Sequence, residues 1–196
     1  LFLLLLIIFP FGELTKLPIG FAEINLSLLD LVVATLVVVW LIGQIGRKKS
    51  VSFERRVLAK PILFFIGAGV ISLLFNSFRL SQRELIVSSL YLIRWVVYAG
   101  VYFVVWDLTR FKSLKVSRFK TGLILVGIGA AVFGLLQYFL YPDLRNLSYL
   151  GFDPHKFRAF GTFLDPNFLG IILVLTMILL IGGGLGKLGK LGRLGI

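Results

Sequence analysis

The sequence predicts an all-α fold, a polytopic transmembrane helical bundle of about six spans. Of the 196 residues, 58% are hydrophobic and only 15% are charged, and the mean hydropathy is +0.98. These values are far from those of soluble domains. The apolar residues form runs that approach the ~20 residues needed to cross a hydrocarbon core about 30 Å thick. The charged residues lie between these runs, so the chain is interpreted as a multi-pass membrane protein.

Five apolar runs predict full spans, and one run at the start of the chain is shorter. We interpret the short run as the outer end of a helix whose start is missing. A cleavable signal peptide is the alternative, although no basic segment precedes the run and no small-residue cleavage site follows it. The predicted spans are residues 1–9, 26–45, 61–75, 86–106, 121–140 and 168–181.

The charges between the spans predict the orientation of the chain. Three alternate segments, residues 46–60, 107–120 and 182–196, carry the whole net charge of +12. By the positive-inside rule these segments are cytoplasmic. The segments 11–25, 76–85 and 141–167 are then external. Because topology accounts for the positive excess, the expected partner is the lipid bilayer and not nucleic acid.

The chain contains no cysteine, which excludes disulfides, thiolate chemistry and cysteine-based zinc or iron–sulfur sites. No metal site and no cofactor are predicted. The basic Gly/Leu/Lys tail, residues 182–196, repeats every three residues, a period that suits neither a helix nor a strand. A flexible basic cytoplasmic segment near anionic headgroups is the default interpretation. We favour instead an interrupted reading frame or a connection to a missing half.

Three polar side chains fall in the outer halves of the predicted spans. Arg94 lies about eight residues from the outer end of its span, a depth of roughly 12 Å at 1.5 Å per residue. Burying a guanidinium there costs about 3 kcal/mol on insertion scales, so a polar partner or cavity is expected. Packed together, Arg94, Asp30 and Gln137 would line an outward-facing polar cavity. The alternatives are structural: Arg94 snorkels beside an acid, and Asp30 caps its helix.

The external loop, residues 141–167, ends in a signal for the start of a helix. Asp165 and Pro166 directly precede an apolar run and supply an N-cap acceptor and a first-turn proline. The N–H groups and positive dipole end of such a helix favour an anion such as phosphate. Gly161 allows the chain to fold back, so that Arg158 shares this space and forms an anion pocket. His155, the single histidine, is a possible base, with a solvated interface residue as the alternative.

The segment RAFGTFLDPNFLG, residues 158–170, resembles the arginine, Gly-Thr-Phe, Pro-Asn, Gly pattern of the O-antigen ligase and O-antigen polymerase family of bacterial envelope proteins. Its members are polytopic glycosyltransferases of the GT-C class that use sugars carried on polyprenyl diphosphate and need no metal. The resemblance implies that Arg158 contacts the diphosphate. Cationic side chains would stabilise the charge that develops on the leaving phosphate, and for this role we expect Arg94 as the second choice, with Arg79 and Arg83 on the outer face as weaker electrostatic helpers. The resemblance also implies a group of residues that shape the turn and the helix start: Gly161, Thr162, Pro166 and Asn167.

Family members continue into a second half with further helices and a large external loop that bears a catalytic histidine, and this chain stops before it. We therefore expect the N-terminal half of a glycosyltransferase, inactive alone, in the bacterial cytoplasmic (inner) membrane. The expected substrates are a polyprenyl-diphosphate-linked glycan and a lipid or glycan acceptor. A transporter or non-catalytic membrane subunit is the alternative, in which Arg94 and Asp30 would be gating or substrate-coordinating charges.

Overall fold

A computed structural model describes residues 1–21, 24–46, 56–110, 116–150 and 153–192. A short apolar helix, α1, continues into a 3-10 turn at Phe9–Thr15. Among the described residues, five later helices are long and apolar enough to cross a membrane. The all-α prediction is confirmed, and the chain is a multi-pass membrane protein. The helices are α1 (Phe2–Ile8), α2 (Leu28–Gly46), α3 (Ala59–Asn76), α4 (Gln82–Arg110), α5 (Val116–Leu140) and α6 (Pro166–Gly192).

Three helices, α4, α5 and α6, extend four or more residues beyond their predicted spans. α4 begins at Gln82, before its apolar run, because Ser81 and Glu84 form a capping box. The Glu84 carboxylate accepts hydrogen bonds from the Ser81 N–H and hydroxyl, both at 2.8 Å. Arg94 consequently lies about 18 Å along the axis from the start of α4. α6 is helical to Gly192, where a flexible tail is the default interpretation of the sequence, because extending an existing helix costs far less than starting one.

The segment before α2 contains a hairpin that is absent from the predicted elements. Strands β1 (Lys16–Phe21) and β2 (Ile24–Ser27) pair antiparallel, with an irregular register between Lys16 and Gly20. The available signal is the alternation of apolar residues in KLPIGF and INLS. Each strand is short, so the pattern alone predicts no more than a loop between two spans.

The packing of the helices divides the chain into two compact units, and the first comprises Leu1–Leu5 and Lys16–Leu114. Its core is the interface of α2 and α4, where Leu36, Val37 and Val104 are buried. A Cβ added to Gly100 would lie 3.0 Å from the Val37 methyl groups, so glycine permits this close approach. The two helices are parallel, because the residue numbers of contacting pairs rise along both helices in the same direction. The pairs are Asp30 with Arg94, Val37 with Gly100, and Trp40 with Asp107.

The second unit comprises Leu6–Thr15 and Lys115–Ile196. α5 packs on α6 through small residues, as the glycines of α5 predict. Gly127 faces the Thr176 side chain, and a Cβ added to Gly134 would lie 2.9 Å from Leu169. The turn at Phe9–Thr15 packs on α5 and on a second 3-10 turn, Gly161–Phe163.

Replacing Gly127 with alanine is expected to destabilise the protein by about 1–3 kcal/mol, because the added methyl group overlaps the Thr176 side chain. Gly170→Ala in α6 is the matched control, since no atom lies within 4 Å of the position of its added Cβ. Thermal unfolding in one detergent compares the two variants. Equal midpoints would contradict the close packing of α5 on α6.

Reporter fusions test the predicted orientation. Fusions after Lys49, Lys115 and Lys190 are expected to report cytoplasmic, and those after Ser81 and Ser148 external. Lys49 and Lys115 lie outside the described residues, so this expectation depends on the sequence alone. The reason is the position of the basic segments, of which residues 107–120 carry +4. An external signal after Lys115 would refute the charge argument.

Candidate functional site

The residues that the sequence singles out lie in both units of the chain. Asp30, Arg94, Arg79 and Arg83 belong to the first unit. The remaining residues belong to the second unit and surround the loop before α6: Gln137, His155, Arg158, Gly161, Thr162, Pro166 and Asn167. The candidate residues thus form two groups, one in each unit.

Asp30 of α2 and Arg94 of α4 form a two-point ion pair. The Arg94 Nε lies 2.8 Å from Asp30 Oδ1, and its Nη2 donates to Asp30 Oδ2 at 2.9 Å. The Tyr98 hydroxyl donates to Oδ1 at 2.8 Å. Asp30 is 7% exposed, and such a fork is among the stronger charged hydrogen-bond geometries. The expectation that Arg94 has a polar partner is confirmed.

Asp30 also caps the helix that carries it. Its Oδ2 accepts hydrogen bonds from the Ser27 N–H and hydroxyl, both at 2.8 Å. The Asp30 N–H in turn donates to the Ser27 hydroxyl at 3.1 Å. This is a capping box with aspartate in the place of the usual glutamate. Both structural alternatives for the pair, helix capping by Asp30 and an acid partner for Arg94, are therefore present.

A groove of about 250 Å³ adjoins this ion pair. Asp30, Arg94 and Tyr98 form its polar part. The other lining residues are apolar, which differs from the predicted polar cavity: Leu26, Leu31, Ala34, Leu90, Ile93 and Val97. The groove therefore combines apolar walls with one neutralised ion pair.

Arg79 and Arg83 are exposed near the start of α4. The Arg79 N–H donates to the carbonyl of Asn76 at 2.9 Å. Arg83 precedes Arg94 by about 16 Å along the helix axis. Neither arginine is therefore close enough to contact the Asp30–Arg94 pair, and any influence on it is long-range.

Gln137 of α5 binds the backbone of the loop before α6. Its Oε1 accepts hydrogen bonds from the N–H groups of Phe160 at 2.8 Å and Gly161 at 3.1 Å. Its Nε2 donates to the carbonyls of Tyr141 at 2.7 Å and Arg158 at 3.4 Å. The sequence predicts that Gln137 lines a substrate-binding polar cavity with Arg94 and Asp30. In the structure its amide is instead occupied by backbone groups of the chain.

Arg158 is exposed, and its guanidinium has no hydrogen bond or ion pair within the described part of the chain. Arg145 in the same loop differs. Its Nη2 lies 2.6 Å from Asp143 Oδ2, and its Nε lies 2.9 Å from Oδ1. These hydrogen bonds lower the pKa of Asp143 to about 2. Arg145 is therefore engaged, whereas Arg158 is available to a ligand.

Gly161 and Thr162 form the tight turn that the motif implies. Gly161 has φ +58°, the left-handed region that favours glycine. The Thr162 hydroxyl donates to the carbonyl of Pro10 at 2.6 Å in a buried contact. Gly12, at φ +48°, lies against Thr162. A Cβ added to Gly12 would be only 2.8 Å from the Thr162 carbonyl oxygen. Pro10 and Gly12 are absent from the predicted site, since their only local signal is the turn-forming composition of FPFGE.

The start of α6 matches the predicted N-cap but not the predicted anion pocket. Asp165 Oδ1 accepts hydrogen bonds from the N–H groups of Asn167 at 2.8 Å and Phe168 at 3.3 Å. Pro166 is the first helical residue. The Asp165 carboxylate therefore occupies N–H groups that the sequence assigns to an external anion. The Asn167 side chain is exposed beside them.

His155 helps to fold the loop between α5 and α6 through its backbone. Its carbonyl accepts a hydrogen bond from Leu144 N–H at 2.8 Å, and Phe157 N–H donates to the Pro142 carbonyl at 2.8 Å. Its imidazole has no hydrogen bond to any described residue. A role as base stays a prediction without a supporting contact.

A second buried ion pair has no counterpart among the predicted site residues. Arg56 Nη2 lies 2.8 Å from Asp107 Oδ1, and the two residues are 5% and 7% exposed. Trp40 and Gln44 donate to Asp107 Oδ2 at 2.9 and 2.7 Å. In the sequence, Arg56 and Asp107 contribute only to the charge of their segments. An acid inside an otherwise basic segment is the signal that points to such a pair.

Comparison with known proteins identifies no relative of this chain. The chain matches no family model, no curated protein and no solved structure. Within the described residues, no group of three or more histidine, cysteine or acidic side chains is arranged to hold a metal ion. The resemblance of residues 158–170 therefore depends on the motif itself.

Proposed function

We propose that this chain is part of a glycosyltransferase of the O-antigen ligase and polymerase type in the bacterial cytoplasmic membrane. The protein would move a glycan from a polyprenyl-diphosphate carrier to a lipid or glycan acceptor at the outer face. One structural observation supports the motif: the Arg158 guanidinium is exposed and pairs with no described residue, while hydrogen bonds hold the backbone around it. An arginine in this state is available to a phosphate.

In the proposed reaction, an acceptor hydroxyl attacks the anomeric carbon of the lipid-linked sugar. A bond forms between this oxygen and the anomeric carbon, the bond to the diphosphate oxygen breaks, and the hydroxyl proton passes to a base or to solvent. Negative charge develops on the leaving diphosphate. A fixed cation at this position stabilises the transition state more than the ground state.

Arg158 fits this role better than Arg94. Asp30 already neutralises Arg94 and binds two of its nitrogen atoms. A diphosphate at Arg94 would have to compete with that carboxylate, whereas at Arg158 it meets N–H donors that no described residue occupies. The planar guanidinium can hold two phosphate oxygens at once. We therefore assign the diphosphate contact to Arg158, with Arg79 and Arg83 as weaker electrostatic helpers.

The Asp30–Arg94 pair favours a second candidate function, a transporter or non-catalytic membrane subunit. A charge pair with a buried carboxylate and a half-buried guanidinium, beside a groove in spanning helices, is typical of substrate and ion pathways. In that case the two charges would act during conformational change, and Arg158 would be dispensable.

The test is glycan transfer by the full-length protein in proteoliposomes with a polyprenyl-diphosphate-linked glycan and its acceptor. We expect a new glycosidic bond and the release of an equal amount of polyprenyl diphosphate. Both should depend on Arg158. Movement of unchanged lipid-linked glycan across the bilayer without bond formation would instead favour the transporter.

A further inference from the structure

We infer that Gln137 is a positioning residue, which sets the direction in which the Arg158 side chain leaves the loop. The inference rests on the proposed function for its effect on transfer. Its structural part, the ordering of the loop by Gln137, can be measured without any activity.

A carboxamide has one acceptor oxygen with two lone pairs and two N–H donors. In Gln137 the oxygen accepts two hydrogen bonds and the NH2 group donates two, each to or from a different backbone group. Three of these groups belong to Arg158 itself, Phe160 and Gly161. The peptide units that follow Arg158 are thus held from one side chain.

The chain before Arg158 is held separately, at Phe157. Phe157 N–H donates to the Pro142 carbonyl at 2.8 Å. Phe157 has φ 52°, and residues 157–160 lie in neither a helix nor a strand, so they gain no regular hydrogen bonding. Side-chain contacts to the backbone are therefore needed to define its shape.

Gln137 is placed on a rigid element. It lies in α5, one turn before the end of the helix at Leu140. A loop positions a functional side chain most accurately when a packed helix or strand supports it. The arrangement therefore leaves the Arg158 guanidinium available while fixing the backbone on both of its sides.

The chemistry of the amide explains why glutamine is suited to this position. A carboxylate could accept from the two N–H groups but would face the carbonyls of Tyr141 and Arg158 without a proton to donate. Methionine has a similar volume and makes none of the four hydrogen bonds. We expect transfer activity to be highest in the wild-type protein, lower in Gln137→Glu and lowest in Gln137→Met.

The main experiment is a double-mutant cycle on transfer by the full-length protein. Gln137→Met is expected to lower transfer by roughly ten- to a hundredfold, because small misplacements of a catalytic group have effects of this size. In the Arg158→Ala background the same substitution should have no further effect, since Gln137 acts through Arg158. Equal loss in both backgrounds would assign Gln137 a general structural role and overturn the inference.

A second measurement is independent of transfer. The 196 residues contain no cysteine, so Ala159→Cys, at an exposed position, gives one site in this chain for a spin label. Gln137→Met should increase the mobility of that label, and the neighbouring α5 variant Leu136→Met should not. An unchanged spectrum in Gln137→Met would overturn the inference. Wild-type transfer by Arg158→Ala would instead refute the proposed function and leave the ordering of the loop standing.

Discussion

Arg158→Ala is expected to reduce glycan transfer by roughly thirty- to a thousandfold, while expression and membrane insertion stay near normal. Loss of one charge-assisted contact to a leaving group corresponds to about 2–4 kcal/mol of transition-state stabilisation. Because Arg158 is exposed and pairs with no described residue, its removal breaks no described side-chain contact that supports the fold. The assay is transfer from a polyprenyl-diphosphate donor in membranes, with protein levels matched by immunoblot.

Three companion variants sharpen this result. Arg158→Lys should recover only part of the activity, because an ammonium keeps the charge but loses the planar fork. Asn167→Ala should have a smaller effect, since it removes one exposed amide. Arg145→Ala is the matched control, an arginine of the same loop that is already paired with Asp143. Wild-type transfer by Arg158→Ala would favour the transporter or subunit hypothesis.

Arg94→Leu is expected to destabilise the protein by about 3–5 kcal/mol, the cost of leaving a buried charge without its partner. Asp30 is 7% exposed and would keep only Ser27 and Tyr98 as donors. The double variant Asp30→Asn, Arg94→Leu should recover most of the loss, because a neutral amide leaves no unpaired buried charge. Its oxygen can accept from Ser27, and its NH2 group can donate to the Tyr98 hydroxyl oxygen. Unfolding in a graded detergent series measures these differences.

Arg79→Leu is the control for this series, an exposed arginine of the same unit. Its effect should be within about 0.5 kcal/mol, as for most surface substitutions. Equal stability of Arg94→Leu and Arg79→Leu would contradict the importance of the ion pair. If the double variant folds and still transfers glycan, the pair is structural. A folded but inactive double variant would assign it a functional role.

The sequence predicts that Arg94 needs a polar partner, because burying a guanidinium within an apolar span costs free energy whichever helices pack around it. Asp30 can be named as its partner because few acids lie within the spans. From the sequence, capping of α2 by Asp30 is only an alternative to pairing with Arg94. In the structure the two roles do not compete, since the two carboxylate oxygens serve both.

The site in the second unit is harder to predict because its contacts are distant in sequence. The N-cap at Asp165 follows from neighbouring residues and is predicted. The contact of Thr162 with Pro10 spans 152 positions and has no local signal. Gln137 is recognisable as a polar residue near the end of a span, but its target, the backbone around Arg158, lies at least 21 positions later.

The shared use of Asp30 has a consequence for the biogenesis of the protein. During synthesis α2 leaves the ribosome first, and Ser27 can satisfy the Asp30 carboxylate from within the same segment. Arg94 follows 64 positions later and has no carboxylate within one helical turn of it in α4. When α4 reaches the translocon, α2 with the Asp30 carboxylate has already been synthesised and can accept the Arg94 hydrogen bonds. The order of acid before base along the chain thus allows the arginine to enter the membrane as a paired group.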